Sequence, residues 1–298
     1  PEDILCITFT EKAKKEMFDA IYEKAQEKFS DADIMKINIH TFHSFAYNYL
    51  LDAGLISGDI VGNNLMRFSI LNSFEKNQAL NYGKDYIINT IVPKTENSIR
   101  YIKSFGITPD KIDIKKATST LEEIFDAKSS RYSLEELKSF LKYFIDAYKE
   151  YEKSKQEAID YSDMLLMFKE KFKGDKFQHV LVDEMQDMNE IEADIATMVA
   201  KNLFLVGDAK QAIFGFQGGS VKNFQKFMKT CDKKMLSTNR RSSQQILDYS
   251  KQHFLKGTSD KASYEKELEI FRGLGDGDIP KIFSTSAHLS KILEVIEQ

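Results

Sequence analysis

The apolar positions of this chain change period along its length. Ile4-Leu5-Cys6-Ile7-Thr8-Phe9 is an almost continuous apolar run and reads as a buried strand. Thr10 follows as a candidate helix cap, and Ala13, Met17, Ile21, Ala25 and Phe29 then recur at the helical period. Ile37-Asn38-Ile39 is a short strand candidate leading into His40-Thr41-Phe42-His43-Ser44-Phe45. Beyond it, long helical patterns dominate, among them Leu137, Phe140, Leu141, Phe144, Ile145 and Tyr148, opened by a capping box of Ser133 and Glu136. Strand-like runs return at His179-Val180-Leu181-Val182 and Leu203-Phe204-Leu205-Val206. Met235-Leu236 and Lys281-Ile282-Phe283 are further strand candidates, and Ser242 with Gln245 opens another capped helix. The pattern predicts an α/β fold with a parallel sheet, interrupted by a helical insertion.

Composition narrows the class without naming it. A chain of 298 residues suggests about two domains. With 42% hydrophobic and 30% charged residues it has the make-up of a soluble globular protein. A formal charge of −4 gives no global attraction to nucleic acid, so any such binding rests on local clusters of Lys and Arg. Cys6 and Cys231 are too few and too distant for a disulfide framework, which makes a reducing cytoplasm the expected location. No apolar run approaches the roughly 20 residues of a membrane span, and no signal peptide opens the chain, so no membrane partner is expected. Pro1 leads almost directly into a strand and the last residues fall within an amphipathic pattern; the expectation is a piece of a longer protein.

The candidate chemistry stands at two strand ends. Asp183-Glu184-Met185-Gln186-Asp187 follows one apolar run, and Gly207-Asp208-Ala209-Lys210-Gln211 follows the next. Open α/β sheets bind ligands at the carboxyl ends of their strands. An Asp there holds Mg²⁺ in nucleotide hydrolases, and a neighbouring acid orients the attacking water. An amide such as Gln211 can sense a terminal phosphate. Phe214 and Phe216 alternate along a glycine-rich segment, either to stack on unpaired bases or to fill a core. Asn239-Arg240-Arg241-Ser242 at a helix start offers a candidate arginine finger. His40 and His43 lack further ligands for a metal, and a strand-end contact to a nucleic-acid backbone suits them better. Gly273, Gly275 and Gly277 have G-x-G-x-G spacing but no strand before or helix directly after, so they read as a plain loop.

The order of these motifs resembles the UvrD/Rep/PcrA family of superfamily 1 DNA helicases. Thr8-Phe9-Thr10-Glu11-Lys12-Ala13 with Glu16-Met17 is similar to motif Ia, and Thr41-Phe42-His43-Ser44-Phe45 to the TFHSF motif. Asp160-Tyr161-Ser162-Asp163-Met164-Leu165 resembles the DFDDLL segment. Asp183 to Asp187 matches motif II, Gly207 to Gly219 resembles motif III, and Leu236 to Ser242 resembles motif IV. The resemblance implies a RecA-like P-loop NTPase core: motor domain 1A over 1–48 and 159–236, helical subdomain 1B over 49–158, and the start of a second RecA-like domain over 237–298. It implies an ATP-dependent DNA helicase and translocase, 3′-to-5′ on single-stranded DNA, with ATP and Mg²⁺ as cofactors and protein partners in repair or recombination. By motif position Asp183 would bind Mg²⁺ and Glu184 would activate water. Gln211 would contact the γ-phosphate, Arg240 would stack on the base of the nucleotide, and Arg241 would act as the finger. Thr8, Phe9, Thr41, Phe42, His43, Phe214 and Phe216 would line the DNA track.

Some positions depart from the family pattern. The phosphate-binding loop G-x-x-x-x-G-K-[ST] does not occur in the sequence. Arg240 stands where an aromatic is usual, and Gln217 replaces the usual Arg. The chain as given is therefore expected to show little ATPase activity. A helicase-like subunit of a helicase–nuclease complex and a non-catalytic nucleic-acid-binding module are the alternative readings.

Overall fold

Among the described residues, four strands form one sheet: β1 Ile4–Thr8, β2 Asn38–Thr41, β3 Phe177–Val182 and β4 Ala200–Leu205. All pair in parallel, in the order β2-β1-β3-β4. Leu5, Cys6, Ile7 and Thr8 are all buried within β1. A strand covered on both faces has no solvent-facing position, hence its unbroken apolar run. Thr8 pairs with Thr41, Ile7 with Val182, and Val182 with Leu205, so the four carboxyl ends finish side by side. The computed structural model describes residues 2–57, 60–77, 82–126, 128, 130–211, 221–258, 261–278 and 280. Phe214, Phe216 and the strand candidate at Lys281–Phe283 lie outside them.

Parallel neighbours need crossover connections, and helices supply them. Helices α1 Glu11–Ala25 and α2 Asp31–Ile34 join β1 to β2, and α3 Phe42–Asp52 follows β2. A long helical excursion then separates β2 from β3. It comprises α4 Asn63–Asn77, α5 Lys84–Tyr86 running through a π turn into α6 Val92–Lys103, α7 Ile114–Ile124, α8 Leu134–Lys155 and α9 Tyr161–Lys171. Helix α10 Glu190–Val199 joins β3 to β4, and α11 Val221–Thr230 comes after. Thr10 caps α1 through Ala13 N–H, and the Ser133–Glu136 box caps α8.

Two cores result. Leu5, Ile7, Phe42, Phe45, Phe168, Val180, Val182 and Ile195 belong to the one around the sheet. Met66, Ile70, Ile99, Tyr143, Tyr148 and Tyr151 belong to the other, among α4, α6 and α8. There Phe74 stacks on Tyr143 with centroids 3.6 Å apart, and the Tyr143 hydroxyl donates to Ile70 O at 3.0 Å. The apolar stripe of α1 lies on a helix as its spacing predicts, but none of the helix's residues is buried, and Phe29 beyond its end is 58% exposed. Ala13, Met17, Ile21, Ala25 and Phe29 line an open groove that also reaches Asp183. Periodicity says which residues share a helix face, not what covers that face.

The chain divides into two compact units, residues 1–230 and 231–298. The second contains α12 Gln244–Gly257 and α13 Lys261–Leu268. The strand expected at Met235-Leu236 does not form; Leu236 is 83% exposed, and a single parallel bridge joins Thr238 to Arg272. Two apolar residues are too short a run to fix a strand. Ser243, not Ser242, precedes α12, without a side-chain cap bond. Gln245 instead accepts from Gly277 N–H at 2.6 Å. The glycine-rich segment is a loop laid against this helix start: a Cβ on Gly273 would stand 2.5 Å from Gln244 N.

Candidate functional site

The carboxyl edge of the sheet gathers the acids and amides. Immediately after β3, Glu184 adopts a left-handed backbone, φ 51° and ψ 42°, which turns the chain sharply. For a non-glycine residue that conformation costs about 1–2 kcal/mol, so its surroundings must hold it. They do: Glu184 N–H donates to Asp183 Oδ1 at 3.0 Å, and Met185 N–H donates to Val206 O at 2.8 Å, across to the end of β4. The following single turn, Met185–Asp187, buries Gln186 between the two strand ends. Gln186 Nε2 donates to Glu184 Oε2 at 2.6 Å, while its Oε1 accepts from Asp208 N–H at 3.0 Å.

The second cluster closes the same line. Asp208 Oδ1 accepts from Lys210 N–H at 2.9 Å, and Asp208 Oδ2 accepts from Gln211 Nε2 at 3.2 Å. Glu184, Gln186, Asp208 and Gln211 thus form one hydrogen-bonded series, with Asp183 joined through the backbone. Glycine at 207 is a steric need: a Cβ there would lie 2.5 Å from Gln186 Oε1 and 2.6 Å from Met185 Cγ.

Burial pushes the Asp183 carboxyl above its ordinary range, with the nearby Glu184 charge acting in the same direction. Burial does the same to Asp187, again with help from Glu184. Asp187 Oδ1 is buried without a hydrogen-bond partner among the described residues. Asp183 and Asp187, both raised by burial and by the Glu184 charge, the latter with an unsatisfied oxygen, are hard oxygen donors of the kind that suits a divalent cation such as Mg²⁺.

At the β1 and β2 ends the proposed DNA-facing residues divide. Thr8 is 1% exposed with its hydroxyl donating to Thr10 O at 3.3 Å, and Phe42 is 2% exposed within the sheet core. Buried so deeply, neither presents a side chain to a ligand here; each is packing for its neighbour. Phe9 is half-buried and meets Phe42 edge-on at 5.8 Å. Thr41 caps α3 in a capping box with Ser44. His43 sits edge-on to Tyr161 at 5.6 Å, and burial lowers its pKa, favouring the neutral ring. Tyr161 remains 53% exposed.

Arg240 and Arg241 belong to the second unit and are exposed. Asn239 Oδ1 accepts from both Arg241 N–H and Ser242 N–H at 2.9 Å, an Asx turn that leads the chain toward α12.

A second charged cluster lies between the helical core and α9. Lys103 Nζ stands 2.8 Å from Glu152, 2.7 Å from Asp160 and 2.7 Å from Asp163. Lys155 Nζ pairs with Glu152 at 2.7 Å and also with Asp163. Tyr151 donates to Asp160 Oδ2 at 2.8 Å. The three carboxylates are close enough to hold a metal, within 4.8 Å of one another. Two ammonium groups already occupy the cation's place, so the cluster is a structural tie.

Gln186 and Lys103 carry roles that motif order does not mark. A buried-type amide between two strand-end acids was the available signal for Gln186. Lys103 had none, because its partners lie far along the chain.

Comparison with known proteins agrees with the motif order. Residues 1–232 match the family model of the UvrD/REP helicase N-terminal domain. A probable DNA helicase II homolog of Mycoplasma genitalium is 29% identical over 294 residues, covering 92% of this chain and 38% of that protein. One of Mycoplasma pneumoniae is 30% identical over 236 residues, covering 73% and 30%. The ATP-dependent DNA helicase PcrA of Leuconostoc citreum is 27% identical over 272 residues, covering 83% and 32%. The chain spans about a third of the length of these curated relatives.

Proposed function

The chain belongs to the UvrD/Rep helicase family, and on that premise we propose that it forms part of an ATP-driven motor translocating 3′-to-5′ along single-stranded DNA. The observation that supports this most directly is the hydrogen-bonded series Glu184–Gln186–Asp208–Gln211, with Asp183 attached, at the carboxyl edge of a parallel sheet. That edge is where this architecture binds nucleotides.

Asp183 would hold Mg²⁺ through a carboxylate that burial has primed to gain from a cation. Mg²⁺–ATP, when bound, supplies the phosphoryl group and the charge neutralisation that its transfer needs. Glu184 would orient the attacking water and take its proton. Gln211, fixed by Asp208, would offer its amide to the terminal phosphate. Arg240 would stack on the nucleotide base, since a planar guanidinium can, and Arg241 would enter as the finger. Phe9, Thr41 and His43, with Phe214 and Phe216, would line the DNA track, and Thr8 and Phe42 would support it from the core.

The sequence contains no G-x-x-x-x-G-K-[ST] loop to hold the β- and γ-phosphates. The 298-residue chain by itself is therefore expected to hydrolyse ATP poorly; robust hydrolysis stimulated by single strands would refute this. DNA binding is tested by fluorescence anisotropy of this chain with a labelled single strand across a salt series. The expected log affinity falls with log salt, by roughly 0.7 per phosphate contacted. No binding at low salt, or affinity indifferent to salt, overturns the DNA assignment.

A further inference from the structure

Gln186 is only 3% exposed and its amide is used at both ends. Its carbonyl oxygen faces the Asp208 N–H, a fixed donor, so its NH₂ must face an acceptor, and it finds the Glu184 carboxylate. Gly207 leaves the space that lets this side chain cross from one strand end to the other. Glu184 itself is solvent-exposed, on a left-handed turn, and Gln186 Nε2 approaches it at 2.6 Å. The loop after β4 depends on the same amide, since Asp208 holds Gln211 and Asp208 is in turn held by Gln186.

We propose that Gln186 is a positioning residue which locks the orientation of Glu184 to the loop carrying Gln211, so that the water-activating acid and the phosphate-sensing amide move as one body. This rests on the assignment of Glu184 as the base. One side chain then transmits a shift in the loop after β4, on loss of the terminal phosphate, to the carboxylate that performs hydrolysis. A displacement of that carboxylate by an ångström is enough to cost about a hundredfold in rate.

The test is ATP hydrolysis in the full-length protein, comparing Gln186→Met with Glu184→Gln. Methionine keeps the length and bulk of the side chain and removes both hydrogen bonds. Gln186→Met is expected to lower kcat about tenfold to a hundredfold while KM for ATP stays within about twofold. Gly207→Ala pushes on Gln186 Oε1 from the opposite strand and is expected to give the same split between kcat and KM. In the 298-residue chain, Gln186→Met should speed hydrogen exchange at Asp208 N–H by about tenfold. Wild-type kcat in Gln186→Met beside an inactive Glu184→Gln removes the lock alone, as does unchanged exchange at Asp208. Wild-type turnover in Glu184→Gln removes the base assignment and the proposal with it.

Discussion

Removing Lys103 should be the most damaging single change to the helical part of this protein. Its side chain is 3% exposed and its ammonium touches three carboxylates, at 2.7 to 2.8 Å. Burial alone would favour neutral Asp160, but Lys103 and Lys155 overcome it and bring that carboxyl down from 3.8 to about 2. That depression corresponds to roughly 2 kcal/mol at neutral pH. Lys103→Met leaves the buried Asp160 and the half-buried Glu152 and Asp163 around Lys155 only, and breaking one side of a buried ion pair typically costs about 3–5 kcal/mol. Such a loss is a large part of the roughly 5–15 kcal/mol that holds most domains folded. Urea unfolding followed by far-ultraviolet circular dichroism and by tyrosine emission measures it, the chain having 13 Tyr and no Trp. Lys76→Met is the control: Lys76 pairs with Glu150 at 2.7 Å but is 66% exposed, so its loss should cost under about 1 kcal/mol. The sign with pH also follows. Asp160 has a depressed folded pKa, so its contribution is present above about 3.8 and is lost as pH falls toward about 2. Lys103→Met should flatten that acid limb. A variant no less stable than the Lys76→Met control, with an unchanged acid limb, would refute the reasoning.

Three further outcomes are expected. Glu192 is fully buried and burial raises its carboxyl to about 7, so the folded state holds its proton more tightly than the unfolded one. Stability is then greatest below about 4.5 and declines by about 3 kcal/mol as pH rises to about 7; Glu192→Gln, which preserves the box with Asn189, should abolish this slope, and an unchanged urea midpoint profile would count against it. In the full-length protein Glu184→Gln should abolish ATP turnover and leave nucleotide binding largely intact, as read by paired hydrolysis and binding titrations; undiminished turnover excludes Glu184 as the base. Phe216→Ala should weaken single-strand binding by roughly 1–3 kcal/mol in anisotropy titrations if the ring stacks on a base, and no change would return Phe216 to a packing role.

What this chain's sequence determined alone was whatever depends on neighbours in sequence. The strand β1 was legible because a parallel strand covered on both faces is apolar throughout, and β3 because its last three residues, Val180 to Val182, form an apolar run into the acids. Thr10 and the Ser133–Glu136 box were legible because a cap satisfies backbone N–H groups within the next turn. The order of the acidic and amide motifs, which is a property of the sequence alone, marked the family. Tertiary structure decided the rest. It left the α1 stripe lining an open groove, drew Thr8 and Phe42 inward, and replaced the expected Met235-Leu236 strand by one bridge. It also brought Lys103 against Asp160 and Asp163, and placed Gln186 between Glu184 and Asp208. Hydrogen-bond caps and periodicity act over a few residues, so sequence carries them directly. Burial and the pairing of distant charges depend on which surfaces meet, and only the folded chain sets that.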